Sequence, residues 1–326
     1  MLDMDLSSDS GRSAGLSTRV NQVDTLKALA IFLVLVDHSL SDRVVNSVWG
    51  ILHVSQSVPI FMVLIGYAGQ WGGVRRRLVR LLVPFVILWL ASFALALVHG
   101  VQPVGWITLS GYLPFSGPGN FFVPLVLCIC LLLPLFRRLA KKSMLLLVLV
   151  AGAADLAFEL AAPHIPPLSG DYPFLYSEAF PRYLLLVSFG FWLATKPRLR
   201  WVIPLGLASL VYLVVSRLVG WNPPFLPNWG QDNLLGAGYA LLLVALGLRY
   251  LPARIPAFVS SIGRSTYHIF LFQIFLFAVI DVFPMSWRWV IGLPVPLFVG
   301  VLWARLEAPL LKRLTERRSA AVPSPH

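Results

Sequence analysis

Asp24-Thr-Leu-Lys27-Ala-Leu-Ala-Ile-Phe-Leu-Val-Leu-Val-Asp37-His38 decides how the rest of this chain is read. The stretch is apolar enough to enter a bilayer, yet it carries Lys27 and His38 eleven positions apart. At about 100° per residue, that spacing falls within about 20° of three full helical turns and separates the two by roughly 16 Å. Asp24 lies about 40° from the same line. A charge inside a membrane span costs roughly 3 kcal/mol or more unless it faces a partner or a watery cavity. A polar stripe on the first span therefore points to an internal site in a bundle of helices.

Composition agrees. Of 326 residues, 58% are hydrophobic and only 12% are charged, about half the charge of an ordinary soluble domain, and the mean hydropathy is +0.79. Apolar runs long enough for about 30 Å of hydrocarbon occur near 23–41, 51–70, 78–99, 119–136, 143–162, 180–195, 201–219, 233–250, 263–283 and 288–306. The fold class predicted is all-α, a polytopic membrane protein of about ten transmembrane helices.

The formal charge of +12 raises nucleic acid as a partner until its placement is read. One set of connections holds Arg12, Arg19 and Lys27, then Arg75, Arg76, Arg77 and Arg80, then Arg137, Arg138, Lys141 and Lys142. It continues with Lys196, Arg198, Arg200, Arg249, Arg254 and Arg264, and closes with Arg305, Lys312, Arg313, Arg317 and Arg318. That is 22 of the 26 basic residues; the alternate connections hold only Arg43, Arg182, Arg217 and Arg288. Such a split at every crossing is the positive-inside pattern, and it puts both termini in the cytoplasm. The charge signals topology, so no nucleic-acid partner is expected. The location read is the cell (inner, cytoplasmic) membrane, multi-pass.

Three segments follow. Residues 1–22 are polar and read as a disordered cytoplasmic N-terminus, without the short apolar core and cleavage site of a signal peptide. Residues 23–310 form the transmembrane domain, and 311–326 a cytoplasmic tail. Cys128 and Cys130 lie two apart in one apolar run and point apart on a helix, so neither a disulfide nor a metal pair is expected. No metal site is expected anywhere.

Histidine is the natural general base near neutral pH, and His38 sits where the polar stripe nears the outer end of span one. Asp37 is adjacent but about 100° round the helix, a poor orienting partner. In Arg75-Arg76-Arg77-Leu-Val-Arg80, Arg77 and Arg80 share a helical face at the cytoplasmic start of span three. Arginine's planar fork suits phosphates, although anionic lipid explains many such clusters. Asp155 and Glu159, four apart in span five, could hold an acceptor's hydroxyls or pair with Arg182 or Arg217. Trp106, Tyr112, Tyr172, Tyr176, Trp221, Trp229 and Trp287 could stack on sugar rings or form an interfacial aromatic belt. His53, His99, His164 and His268 read singly as interface or packing residues. No Gly-x-Ser-x-Gly, His-Glu-x-x-His or P-loop occurs.

Together the motifs resemble the acyltransferase 3 family, polytopic enzymes that move acyl groups onto sugars and other acceptors. The resemblance runs from Asp24-x-x-Lys27 to His38, through Val58-Pro-Ile-Phe-Met-Val-Leu-Ile65-Gly66-Tyr67 and the Arg-rich run ending at Pro84. It returns in Ile262-Gly263-Arg-Ser265-Thr-Tyr267-His-Ile-Phe-Leu-Phe-Gln273 and closes on Glu307-Ala-Pro309. It implies a catalytic His38 and an acyl-coenzyme A donor bound by Lys27, Arg77 and Arg80. Asp24, Asp37, Arg76, Tyr67, Ser265 and Glu307 are the candidates to support the site, and Asp155 and Glu159, where they do not pair with an arginine, the candidates for its acceptor side. Ile65 stands where serine is common in the family, Gln273 where a second histidine is common, and Phe121-Phe122 in place of a tryptophan-containing segment.

The expected function is transfer of an acyl group, acetyl above all, from cytoplasmic acyl-coenzyme A to a hydroxyl of a cell-envelope or secreted carbohydrate. The donor is a co-substrate; no tightly bound cofactor is expected. The expected partners are acyl-coenzyme A, a hydroxyl acceptor, the lipid bilayer and glycan-assembly proteins. Two rival readings are a transporter or flippase for a glycan or lipid intermediate, and a catalytically degenerate partner protein. The absence of a clear inverted repeat counts against transport.

Overall fold

In hydrocarbon every backbone N–H and C=O must be satisfied within its own segment or a closed barrel, and long apolar runs such as these resolve that demand as helices. The computed structural model describes residues 10–316 apart from 72, 101–111, 118, 166–178, 222–233, 253 and 281–284. It is all-α, with no strand among the described residues. The helices are α1 (Ser10–Asp37), α2 (Asp42–Val45), α3 (Val48–Leu52), α4 (Ser57–Gly69), α5 (Val74–Val98), α6 (Phe122–Lys142) and α7 (Met144–Ala161). They continue as α8 (Leu184–Ala194), α9 (Leu199–Val219), α10 (Ala237–Tyr250), α11 (Ala257–Ile280), α12 (Met285–Gly292) and α13 (Pro294–Glu316). Short 3₁₀ turns cover Val54–Gln56, Ala162–His164 and Phe180–Tyr183.

A helix lies over each of the ten apolar runs, but length and composition suit seven of them to crossing a membrane. The other three differ for physical reasons. Phe180–Ala194 and Ala237–Tyr250 are apolar but short; at 1.5 Å per residue they reach only about 21–23 Å of the roughly 30 Å of hydrocarbon. The first helix, α1, is long enough but keeps Asp24, Lys27 and Asp37. It starts at Ser10 and so takes in polar residues read from sequence as disordered. Extending a formed helix is far less costly than nucleating one. The tail after Glu316 lies outside the described residues.

The chain divides into two compact units, Met1–Gln70 with Leu133–Arg264, and Trp71–Leu132 with Ser265–His326. In the first, α4 packs against α1, α8 and α10, while α8 also meets α7, and α9 lies on α10 and α3. Helices apolar on every side belong at the centre: Ile60 to Leu64 on α4 and Leu184 to Phe189 on α8 are buried. Two facing glycines set their separation. A Cβ at Gly66 would run into the Val187 carbonyl, and one at Gly190 into the Val63 carbonyl. Small residues that let backbones touch are the usual means of close helix packing where lipid supplies no hydrophobic drive.

In the second unit, α13 packs against α5 and α12, and α11 touches α6, α13 and α5. Phe270 meets Phe122 of α6 at 4.4 Å between ring centroids, and Gly300 lets α13 lie against Ile269. The Tyr267 hydroxyl donates to the Leu81 carbonyl of α5 at 2.9 Å. Pro84, inside α5, removes the amide that would have bonded the Arg80 carbonyl.

Candidate functional site

Helical geometry carries α1 unbroken to the proposed base. Its last turn continues through His38, whose backbone N–H reaches the Val34 carbonyl at 3.2 Å, so Lys27 and His38 keep the three-turn relation read from sequence. His38 is half-buried, and the following Ser39 is fully buried, its hydroxyl bonded back to Leu35 at 2.8 Å. The 3₁₀ turn Val54–Gln56 packs on α1 in this unit. Asp37 is half-buried, and Tyr67 is buried in α4.

Asp24 has a part that no spacing could show. It is buried, with Lys27 Nζ 3.9 Å from Oδ1 and the Ser260 hydroxyl 3.4 Å from Oδ2. Directly behind it, Gly263 has no room for a Cβ, which would strike the Asp24 carbonyl. The Asp24-x-x-Lys27 and Ile262-Gly263-Arg segments, far apart in the chain, therefore meet where α1 crosses the start of α11. Lys27 is half-buried.

The acidic pair of α7 resolves toward an arginine. Arg182 Nε donates to Glu159 Oε1 at 2.7 Å, and both side chains are 1% exposed. Asp155, one turn earlier and equally buried, shares their electrostatic surroundings. Arg217 is exposed and plays no part. Glu159 is thus engaged in a buried ion pair between α7 and the turn leading into α8.

In the second unit, Arg77 and Arg80 are half-buried at the start of α5, while Arg75 and Arg76 are exposed. One Arg77 amino group holds the Trp71 carbonyl at 2.7 Å. Ser265 is buried on α11. His268 Nε2 lies 2.7 Å from Glu307 Oε2 on α13, an imidazole–carboxylate pair backed by the edge of Trp303. Sequence reasoning kept Glu307 only as a supporting residue and read His268 singly as an interface or packing residue, because their pairing spans 39 positions and two helices.

Trp221 is exposed and meets Tyr212 edge-on, and Tyr112 is half-buried. Trp106, Tyr172, Tyr176 and Trp229 lie outside the described residues, as does the side chain of Trp287. Among the described residues, no group of three or more His, Cys, Asp or Glu is placed to hold a metal ion.

A family model described as an acyltransferase domain (acyltransferase 3) matches residues 20–306, nearly the whole chain. The chain belongs to this family. No curated protein and no solved structure matches it. As a member of the acyltransferase family built from long apolar helices, it is a multi-pass membrane protein. Two of the three positions read as departures from the family pattern differ in setting. Ile65 is half-buried on α4. Gln273 is fully buried on α11, and neither end of its amide has a hydrogen-bond partner among the described residues.

Proposed function

We propose that this family member transfers an acyl group, acetyl above all, from cytoplasmic acyl-coenzyme A to a hydroxyl of a cell-envelope or secreted carbohydrate. The carrying observation is the family match from 20 to 306, together with a charged first helix that delivers His38, half-buried, at its end. An apolar helix that keeps Asp24, Lys27 and Asp37 carries a standing cost, which a role in binding or catalysis explains.

The chemistry needs one proton acceptor and one anion site. His38 takes the proton from the acceptor hydroxyl as its oxygen attacks the thioester carbonyl. The carbon–sulfur bond breaks, and the proton passes to the leaving thiolate. A second route passes the acyl group through His38 itself; release of free coenzyme A without acceptor would mark that route. Arg77 and Arg80 bind the donor's phosphates, with Arg76 exposed beside them, and Lys27 lines the donor's path. The donor is a consumed co-substrate, with no tightly held cofactor. Ten spans, cytoplasmic termini and a place in the inner membrane beside glycan-assembly proteins complete the reading.

Donor kinetics test it. Alanine at both Arg77 and Arg80 should raise the apparent KM for acetyl-coenzyme A about tenfold or more, and the acceptor's far less, since a charge-assisted hydrogen bond is worth about 1.5–3 kcal/mol. Unchanged donor kinetics in well-inserted protein would make the cluster a lipid anchor.

A further inference from the structure

The second unit holds a buried polar pair that the proposed chemistry leaves unused. His268 and Glu307 are each more than nine-tenths buried and joined at 2.7 Å. Beyond that bond, His268 Nδ1 and Glu307 Oε1 are buried without a hydrogen-bond partner among the described residues. When the imidazole is neutral and donates its Nε2–H to the carboxylate, its lone pair is left on Nδ1. Both open atoms are then acceptors. A buried acceptor without a donor is costly to keep, and a tether between α11 and α13 needs neither of these open atoms. Arg182 and Glu159 show that this chain can build a tether without a histidine.

The class of ligand follows from charge and place. Two buried acceptor atoms, one of them a carboxylate oxygen, suit an uncharged N–H or O–H donor better than a phosphate. The phosphate-binding candidates stand on the helix that meets this part of α11: Tyr267, the neighbour of His268, is bonded to the Leu81 carbonyl, one residue past Arg80. Acyl-coenzyme A is anionic at its nucleotide end and carries two amide N–H groups along its pantetheine arm. We propose that His268, oriented by Glu307, accepts a hydrogen bond from a pantetheine amide of the donor. The proposal rests on the acyl-coenzyme A reading above. His268 is a donor-binding residue and Glu307 its positioning residue.

The test uses purified full-length protein in nanodiscs and two probes, coenzyme A and adenosine 3′,5′-bisphosphate, which lacks the pantetheine arm. His268→Gln keeps an amide N–H for Glu307 but leaves no acceptor at the position of Nδ1. It should weaken coenzyme A binding roughly tenfold and leave the bisphosphate and the melting temperature of the ligand-free protein unchanged. A coenzyme A analogue with the relevant amide N–H replaced by CH2 should lose a similar factor on the unmodified protein, a readout independent of any variant's folding. Wild-type affinity for both analogue positions, or for coenzyme A in a folded His268→Gln protein, would reduce the pair to a tether. Equal weakening of both probes would also overturn the assignment. Should the wild-type protein bind neither probe, the donor reading itself fails and takes this one with it.

Discussion

Arg182 and Glu159 show at the residue scale how much one buried contact carries. With both side chains 1% exposed, Arg182→Met leaves a carboxylate without its cation in a nearly dry interior. That should cost about 3–5 kcal/mol, read as a large fall in thermal midpoint in detergent. Adding Glu159→Leu should restore most of the loss, because an apolar pair of similar volume is often as stable as the buried ions. A mild single variant, or a double no better than the single, would contradict the pairing. The sequence showed that two acids in an apolar run needed explaining, yet left Arg182 and Arg217 equal. What separates them is burial, which depends on where α7 meets the turn before α8. Asp24 is a second such case: the stripe marked it as notable, but its contact with Ser260 lies 236 positions away.

Elements were the most legible level, because hydropathy averaged over a run outlasts local error. Every apolar run became a helix, and charge between runs marked most of their ends. What the averaging hid was length: the runs at 180–195 and 233–250 lose residues to a 3₁₀ turn and to a late helix start. Helix pairing was hidden as well. Gly66 was read as part of a motif, and only its place against Val187 shows why it is glycine. Alanine at Gly66 or Gly190 puts a methyl into a facing carbonyl, which backbone cannot yield cheaply. Either should lower stability by about 1–3 kcal/mol or more, whereas Gly152→Ala, whose Cβ meets only an ordinary contact, should be near neutral. Equal effects at Gly66 and Gly152 would refute the close crossing of α4 and α8.

For the whole molecule, the 22-to-4 division of basic residues predicts sidedness. Reporter fusions after His326 and within 137–142 should read cytoplasmic, and fusions within 106–118 external. An external C-terminus would reverse the orientation assigned to His38 and the arginines. Function at this scale was legible mainly as a family pattern, because each motif is weak alone and gains force from order along nearly the entire chain. The acceptor was not, since aromatics such as Trp221 serve a membrane belt as readily as a sugar. The central claim is that His38 performs the transfer, and His38→Ala tests it most directly. In purified protein given labelled acetyl-coenzyme A and the acceptor, the variant should bind donor as wild type does. Its transfer should fall by about 10²–10⁴-fold, the usual worth of a general base, or further if the acyl group passes through the imidazole. Turnover like wild type in that variant would contradict the account.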